Sequence, residues 1–155
     1  MVVNDAVKEV IEMQTFFETV QQIYTFFRHS IKRWNILSSF ISNKEESGES
    51  SNSVTLKTLS PTRWAGRFDA IFALKVRFVE VQKALIKTIL LNFKADERNE
   101  AILLKNKVEN YNFIMLLVFH CKILETIDAA SKALHSKAID LSNASTAGLP
   151  LDKTD

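Results

Sequence analysis

The sequence has few of the residues that make turns and crosslinks. Its 155 residues include three glycines, two prolines and one cysteine. So few glycines and prolines argue against an all-β fold, which needs frequent turns. The single cysteine, Cys121, excludes an internal disulfide and any cysteine zinc site made by this chain alone.

Long apolar runs are missing as well. The longest one, residues 113–119, is too short to cross a bilayer. Near the amino terminus, Asp5, Glu9 and Glu12 lie where a signal peptide needs a basic start and an unbroken apolar run. We therefore expect a soluble, intracellular protein without a membrane partner.

Motifs for common catalytic and metal-binding sites are absent from the sequence. It contains no GxxxxGK[ST] or GxGxxG phosphate loop, no HExxH and no CxxC. The histidines His29, His120 and His135 lie far apart, so each is interpreted as a core or surface side chain. His120 and Cys121 diverge by about 100° on a helix and cannot easily face one metal ion.

One pair of carboxylates has a spacing that acid–base catalysis could use. Glu125 and Asp128 are three residues apart and would share a helix face. Solvation of the helix explains them more simply. We therefore predict that the chain is not an enzyme and needs no metal or cofactor.

Helical periodicity dominates the rest of the chain. Hydrophobic residues make up 46% of it, and a chain of this length buries about 70% of its unfolded surface, enough for one domain. Apolar residues recur at intervals of three and four, as on a helix with one buried face. The pattern predicts four helices, over residues 5–41, 61–93, 97–109 and 110–141.

Several local signals place the ends of these helices. Ser60 suits an N-cap and Pro61 the first helical position, where its missing N–H has no partner to lose. Asp96 is a good cap for the third helix. A break of the first helix near residues 14–15 is compatible with the pattern. The first half of the fourth helix is apolar nearly all round, which predicts a central position in the packing.

Residues 42–55 are polar and almost without apolar side chains, which predicts a long mobile loop. The fold class is therefore all-α, an antiparallel bundle of about four helices. We assign residues 1–146 to one helical domain and residues 147–155 to a flexible tail.

Positive charge is concentrated in the middle of the chain. Residues 57–94 hold eight basic and two acidic side chains, a net charge of +6, whereas the segments before and after are each −2. Such a segment can attract a polyanion such as DNA. The alternative is a solvated helix face that acidic neighbours neutralise.

An aromatic side chain lies inside the basic segment. Trp64 is flanked by Arg63 and Arg67 at the predicted start of a helix. There an indole ring can stack on an exposed base while arginines and free backbone amides bind phosphate. The alternative is a tryptophan that packs the helix start onto the bundle.

Three stretches resemble one known family. Residues 56–67 follow the pattern L-K-x-L-S-x-T-R-W-x-x-R, and residues 4–34 contain N-D-A, F-F, Y-T-F-F and K-R-W in order. Residues 131–141 follow S-x-x-L-x-x-x-x-x-D-L, with His135 where the family usually has glutamine. Together they are similar to hAT-superfamily transposases, in particular the transposon-derived proteins called zinc finger MYM-type protein 1-like.

The resemblance implies a particular part of a larger enzyme. In that family an RNase H-like catalytic domain is interrupted by a helical insertion, and this chain resembles the insertion alone. The catalytic acidic residues, the zinc finger and the dimerisation region would all lie outside it. The resemblance also implies that Trp64 stacks near a flipped base or DNA hairpin, with Arg63 beside a phosphate.

We therefore expect a non-catalytic remnant of a hAT-type transposase that retains affinity for hairpin or branched DNA through residues 57–94. The expected DNA-binding residues are Trp64, Arg63, Arg67 and Lys57. A nuclear location follows by analogy with the family. Two alternatives stay open: a helical module that binds a protein partner or a second copy, and a decayed gene product without a nucleic-acid role.

Overall fold

The computed structural model describes residues 2–45, 54–60, 64–91 and 93–147, with side chains described within 10–42, 54–60, 65–91 and 93–136. The described residues form six α-helices and no strand. The helices are α1 (Val2–Arg28), α2 (Ile31–Glu45), α3 (Trp64–Val76), α4 (Phe78–Leu90), α5 (Ala95–Val108) and α6 (Tyr111–Ala147). In this part of the chain no helix is both long and apolar enough to cross a membrane.

The predicted all-α bundle is confirmed, and the helix count is six because two predicted helices are each divided. The first divides at His29 and Ser30, and not near residues 14–15. The Arg33 backbone N–H donates to Ser30 Oγ at 3.5 Å, so Ser30 caps α2. Apolar residues keep their helical spacing across this junction, which is why periodicity alone predicts one helix.

The second division lies at Arg77, between α3 and α4. Arg77 has φ −101° and ψ 19°. Its N–H still donates to the Ala73 carbonyl at 3.0 Å, and its own carbonyl accepts from Val81 N–H at 2.9 Å. The chain therefore crosses the division with nearly helical geometry, and α4 continues the register of α3.

Residues 54–60 form neither helix nor strand and pack against the bundle. Leu56 is buried, and Gln21 Oε1 accepts hydrogen bonds from Leu59 N–H at 2.9 Å and Thr58 Oγ1 at 3.3 Å. The predicted loop at residues 42–55 is therefore too long at both ends, since α2 continues to Glu45. Residues 46–53 lie outside the described part of the chain, as does Pro61, which was predicted to open the next helix.

The cap of α5 also differs from the prediction. The helix begins at Ala95 with Lys94 as its N-cap residue, and no side chain caps it. Asp96, the predicted cap, lies in the first turn instead. A carboxylate in that position still interacts favourably with the positive end of the helix dipole.

The core lies where α4 packs between α2 and α5, while α3 packs on α6. Lys107 of α5 donates to Gln22 of α1 at 2.9 Å, and Arg33 of α2 lies 3.5 Å from Glu100 of α5. These contacts connect the end of α5 to α1 and the middle of α5 to the start of α2. Each large apolar side chain buried here contributes about 1.5–3 kcal/mol relative to exposure. The fully buried members include Ile23, Phe26, Phe27, Leu37, Ile71, Leu74, Val81, Leu85 and Val108.

The first half of α6 is buried on one side only, so the prediction of a central position is wrong. Its buried side carries Phe113, Leu117, His120, Cys121 and Leu124. The opposite side faces solvent. From residue 129 to residue 136 every described side chain is exposed, so this part of α6 extends beyond the packing. Residues 148–155, most of the predicted tail, lie outside the described residues.

Candidate nucleic-acid interface

Of the four predicted DNA-binding residues, the structure describes the side chains of Lys57 and Arg67. Arg63 and the side chain of Trp64 are outside the described residues, and the backbone of Trp64 begins α3. Trp64 is thus at a helix N-terminus, a position at which backbone amides can bind an anion. Base stacking on the Trp64 ring stays a prediction.

Lys57 is exposed and paired with a carboxylate. Its Nζ lies 2.9 Å from Asp69 Oδ2, and both side chains are about half exposed, at 53% and 52%. An exposed pair of this kind is worth about 0.2–1 kcal/mol. Lys57 can therefore exchange Asp69 for another anion at little cost, but Asp69 offsets its charge.

Arg67 points toward the bundle. Its Nε donates to the Ser60 carbonyl at 3.3 Å, and its guanidinium carbon lies 5.4 Å from the centre of the Phe17 ring. The side chain is half-buried. Arg67 thus links segment 54–60 to α1, and this structural use competes with the phosphate contact predicted for it.

Arg77 is the basic residue whose position the sequence did not reveal. It is fully buried, and its Nε donates to the Val54 carbonyl at 2.8 Å. An arginine on an otherwise basic helix is usually counted with the exposed charges. Here it holds the start of segment 54–60, and the division between α3 and α4 coincides with it. The only signal in the sequence is its place on the apolar stripe between Leu74 and Val81.

Four lysines of the basic segment remain at the surface, namely Lys75, Lys83, Lys87 and Lys94. Lys87 Nζ lies 5.3 Å from the centre of the Phe40 ring. Lys83 and Lys87 are one turn apart on α4, and Lys75 lies on α3. The seven basic side chains that the structure describes in this segment therefore do not form one continuous surface. Three are engaged by the fold or by Asp69, and the exposed lysines are spread along α3, α4 and the residues after it.

Apolar side chains lie between these lysines. Phe72, Val79, Ile86 and Leu90 are exposed on the solvent side of α3 and α4. Phosphate groups gain nothing from such side chains. The exposed face of the basic segment thus combines positive charge with an apolar row, which periodicity and charge counts taken separately did not indicate.

A second exposed apolar surface runs along α6. Met115, Phe119, Ile123 and Ile127 follow one another at intervals of four residues, and Leu134 comes seven residues later. These intervals keep side chains on one side of a helix. We call this set, with Val118 beside it, the α6 face. Phe119 is 58% and Leu134 is 70% exposed.

Charged residues of opposite sign are paired along α6, one pair beside the α6 face and one on the side of the buried residues. Lys122 Nζ lies 3.7 Å from Glu125, and Lys132 Nζ lies 2.6 Å from Asp128. The hydrogen bond from Lys132 to the Asp128 carboxylate raises the pKa of Lys132 above its ordinary value of 10.5. Glu125 and Asp128 are therefore engaged by lysines.

Among the described side chains no group of histidine, cysteine and carboxylate residues could hold a metal ion. His120 is buried, stacks on Phe16 with ring centres 4.9 Å apart, and bonds through Nδ1 to the Leu116 carbonyl at 2.8 Å. Because a carbonyl only accepts, Nδ1 carries the proton. His120 is thus a satisfied core histidine, as its isolated position in the sequence predicts.

A groove of about 220 Å³ lies between α1 and the start of α6, lined by Ile11, Thr15, Phe16 and Phe113 among others. Ligand pockets usually enclose about 300–1,000 Å³. The groove is smaller than that and mainly apolar, so it gives no support to a cofactor or substrate site.

Comparison with known proteins adds no relative. The sequence matches no protein-family model and no curated protein, and the fold matches no solved structure. The function must therefore be argued from the surfaces described above.

Proposed function

We propose that this chain is a non-catalytic helical interaction module whose α6 face binds a second copy of the chain. The observation that carries the proposal is the α6 face itself, a row of five exposed large apolar side chains along the helix with Val118 beside it. Contiguous apolar surface of this kind is rare on soluble monomers and marks interaction sites.

The charges beside the α6 face favour a second copy as the partner. Lys122 and Lys132 are balanced by Glu125 and Asp128 within the same helix. Two identical surfaces repel each other when each carries a net charge, because like charges then meet. The α6 face carries no such excess, so two copies can approach without electrostatic cost.

The exposed end of α6 supports the same partner. Residues 129–136 contact nothing in their own chain that buries them. An isolated helix of this length is marginal in water, and most helices gain stability by packing an apolar face. A second α6 helix would supply that packing along Ile127 and Leu134.

The test is light scattering coupled to sizing chromatography over about a hundredfold range of protein concentration, since association follows mass action. The wild type is expected to have twice the mass of the 17.7 kDa chain. Phe119→Glu is expected to be monomeric, because it buries a charge at the contact. A wild type that is monomeric at every concentration rules out the proposal.

Ser136→Glu is the matched control. Ser136 is exposed on the same helix and lies on the opposite side from Leu134. The variant adds the same charge on the side of the helix that faces away from Ile127 and Leu134, so its mass should equal that of the wild type. Equal loss of association in both variants would point to net charge and not to the α6 face.

A second function, DNA binding, is favoured by a separate observation. Lys75, Lys83 and Lys94 are exposed and have no ion-pair partner among the described residues, within a segment of net charge +6. Together with the resemblance to hAT transposases, this supports a remnant that keeps affinity for hairpin or branched DNA in the nucleus. Trp64, Arg63, Arg67 and Lys57 are its proposed site.

DNA binding is tested with a labelled DNA hairpin at several salt concentrations. Each phosphate neutralised releases counterions, so the affinity should fall steeply with salt. Trp64→Ala should lose about 1–3 kcal/mol if a base stacks on the ring. Equal binding by Trp64→Ala and the wild type would exclude stacking, and absence of salt dependence would exclude phosphate contacts.

A further inference from the structure

The solvent side of α3 and α4 carries a narrow apolar row. Phe72, Val79 and Ile86 follow one another at intervals of seven residues, and Leu90 is one turn further. They are 40%, 52%, 40% and 80% exposed, respectively. Residues seven apart lie two turns apart on the same side of a helix, so the row is about 27 Å long.

The row continues across the division at Arg77. The Arg77 N–H and carbonyl keep hydrogen bonds to Ala73 and Val81 at 3.0 Å and 2.9 Å. The helical register is therefore maintained, and Phe72 on α3 stays in line with Val79 and Ile86 on α4. Burial of Leu74, Val81 and Leu85 on the other side fixes the row toward solvent.

Lysines border the row on both sides. The nearest exposed carboxylate in sequence is Asp69, one turn before Phe72, and it is already paired with Lys57 at 2.9 Å. Lys75 lies to one side, and Lys83 and Lys87 lie to the other. Between residues 70 and 91 the only carboxylate is Glu80, which is buried. Lys75 and Lys83 have no ion-pair partner among the described residues. The apolar row with these three lysines is called the lysine face below.

These charges decide which occupant fits the lysine face. A second copy would place lysines against lysines, and like charges at an interface are unfavourable. Nucleic acid would use the lysines and leave the apolar row in water. A membrane surface favours a helix with a wide apolar side, and this row is one side chain wide. A single helix that carries carboxylates on both edges uses the row and all three lysines.

We propose that the lysine face binds an acidic amphipathic helix of another protein. Its apolar side chains, at the i, i+3, i+4 and i+7 positions typical of helix recognition, pack along Phe72, Val79 and Ile86. Its flanking carboxylates pair with Lys75, Lys83 and Lys87. The apolar contacts supply affinity, and the charges supply orientation and a faster association rate.

The probe is a fluorescein-labelled synthetic peptide of about 20 residues, long enough to form a helix on binding. It carries leucines at heptad a and d positions and glutamates beside them. A second peptide has the same composition in scrambled order. Fluorescence anisotropy should show binding of the first, weakened by salt, and none of the second. Equal binding of both peptides, or of neither, overturns the proposal.

Substitutions at two exposed positions separate the apolar contribution to peptide affinity from the charged contribution. Val79→Ser and Lys83→Glu should each reduce peptide affinity about tenfold or more, the effect expected of central interface residues. Matched controls are Leu103→Ser on α5 and Lys32→Glu on α2, both at exposed positions away from the lysine face. They should bind as the wild type does. Circular dichroism checks folding, and Leu90→Ser replaces Val79→Ser if that variant unfolds.

A DNA hairpin and lipid vesicles test whether the lysine face binds nucleic acid or a membrane instead of an acidic helix. A DNA hairpin that binds, is weakened by Lys83→Glu and is unaffected by Val79→Ser, while the acidic peptide does not bind, would make the lysine face a nucleic-acid site. Vesicles of about four parts phosphatidylcholine to one part phosphatidylserine provide the membrane arm. Binding to these vesicles without binding to the peptide would equally overturn the proposal.

Discussion

The α6 face and the lysine face both expose apolar side chains in a row, and they differ in the charges that border the row. Along α6, Lys122 and Lys132 are paired with Glu125 and Asp128, so the helix has no excess of one charge there. Beside the other row, three lysines have no exposed carboxylate between residues 70 and 91. The first surface is compatible with a copy of itself, and the second is not.

The comparison teaches that bordering charge, and not apolar exposure, selects the occupant of each surface. Whole interfaces are about as apolar as the rest of a protein surface, so apolar area alone does not identify a partner. Charge adds specificity because a wrong partner brings like charges together.

The largest expected effect is a difference in the free energy of unfolding between a variant on the buried side of α4 and a variant in its exposed apolar row. Leu85 is fully buried, whereas Ile86 beside it is 40% exposed. Leu85→Ala should lower the free energy of unfolding by about 2–5 kcal/mol, because it leaves a cavity. Ile86→Ala should change it by less than about 1 kcal/mol and should weaken binding of the acidic peptide instead.

Urea unfolding followed by circular dichroism measures both variants. If Ile86→Ala is as destabilising as Leu85→Ala, Ile86 belongs to the core. The lysine face would then have no continuous apolar row for a partner to contact.

The next prediction concerns the balance of charge along α6, which a double variant changes to an excess of positive charge like that of the lysine face. The double variant Glu125→Lys and Asp128→Lys removes both carboxylates that balance Lys122 and Lys132. Self-association should weaken by about 1–3 kcal/mol, because like charges then border both copies. Light scattering measures the mass, and high salt should restore the dimer by screening the added charge. No change in mass would mean that these charges do not border the contact.

A smaller effect concerns the hydrogen bonds that attach segment 54–60 to α1. Gln21 Oε1 accepts hydrogen bonds from Leu59 N–H and Thr58 Oγ1, which hold segment 54–60 against α1. Gln21→Ala should cost about 1–2 kcal/mol of stability, close to the net value of two hydrogen bonds. Gln22→Ala is the neighbouring control, since Gln22 accepts one exposed bond from Lys107. Equal costs would show that segment 54–60 is not held by Gln21.

The smallest effect is the pH dependence of the Lys132 pair. The side-chain hydrogen bond to Asp128 raises the pKa of Lys132 above its ordinary value of 10.5. A raised pKa means that the folded state binds the proton more tightly, so the contribution is complete below 10.5 and is lost as pH rises through the raised pKa. The urea midpoints of the wild type and Lys132→Gln should therefore converge in strongly basic solution. A difference that persists there would exclude the ion pair as its cause.

The helical fold could be predicted from the sequence because apolar spacing reports directly which side of each helix is buried. The divisions at Ser30 and Arg77 could not, because apolar spacing continues across both. The packing of segment 54–60 could not be predicted from the sequence either. The segment is held by Gln21 and Arg77, which are distant in sequence, and its own composition is typical of a loop.

The candidate site was predictable in part. Charge counts located the basic segment, and the exposed Lys75 and Lys83 belong to it. Charge counts could not indicate that Arg77 and Arg67 donate hydrogen bonds to backbone carbonyls, because those bonds depend on how segment 54–60 packs. For the same reason the apolar row beside the lysines emerges only once the buried side of α3 and α4 is known.

One measurement tests both surfaces together: the mass, by light scattering, of the wild-type protein saturated with the acidic peptide. The account predicts a complex of two chains and two peptides, because the α6 face pairs the chains while each lysine face holds one peptide. A complex in which the peptide separates the two chains, or a mass unchanged by the peptide, would contradict it.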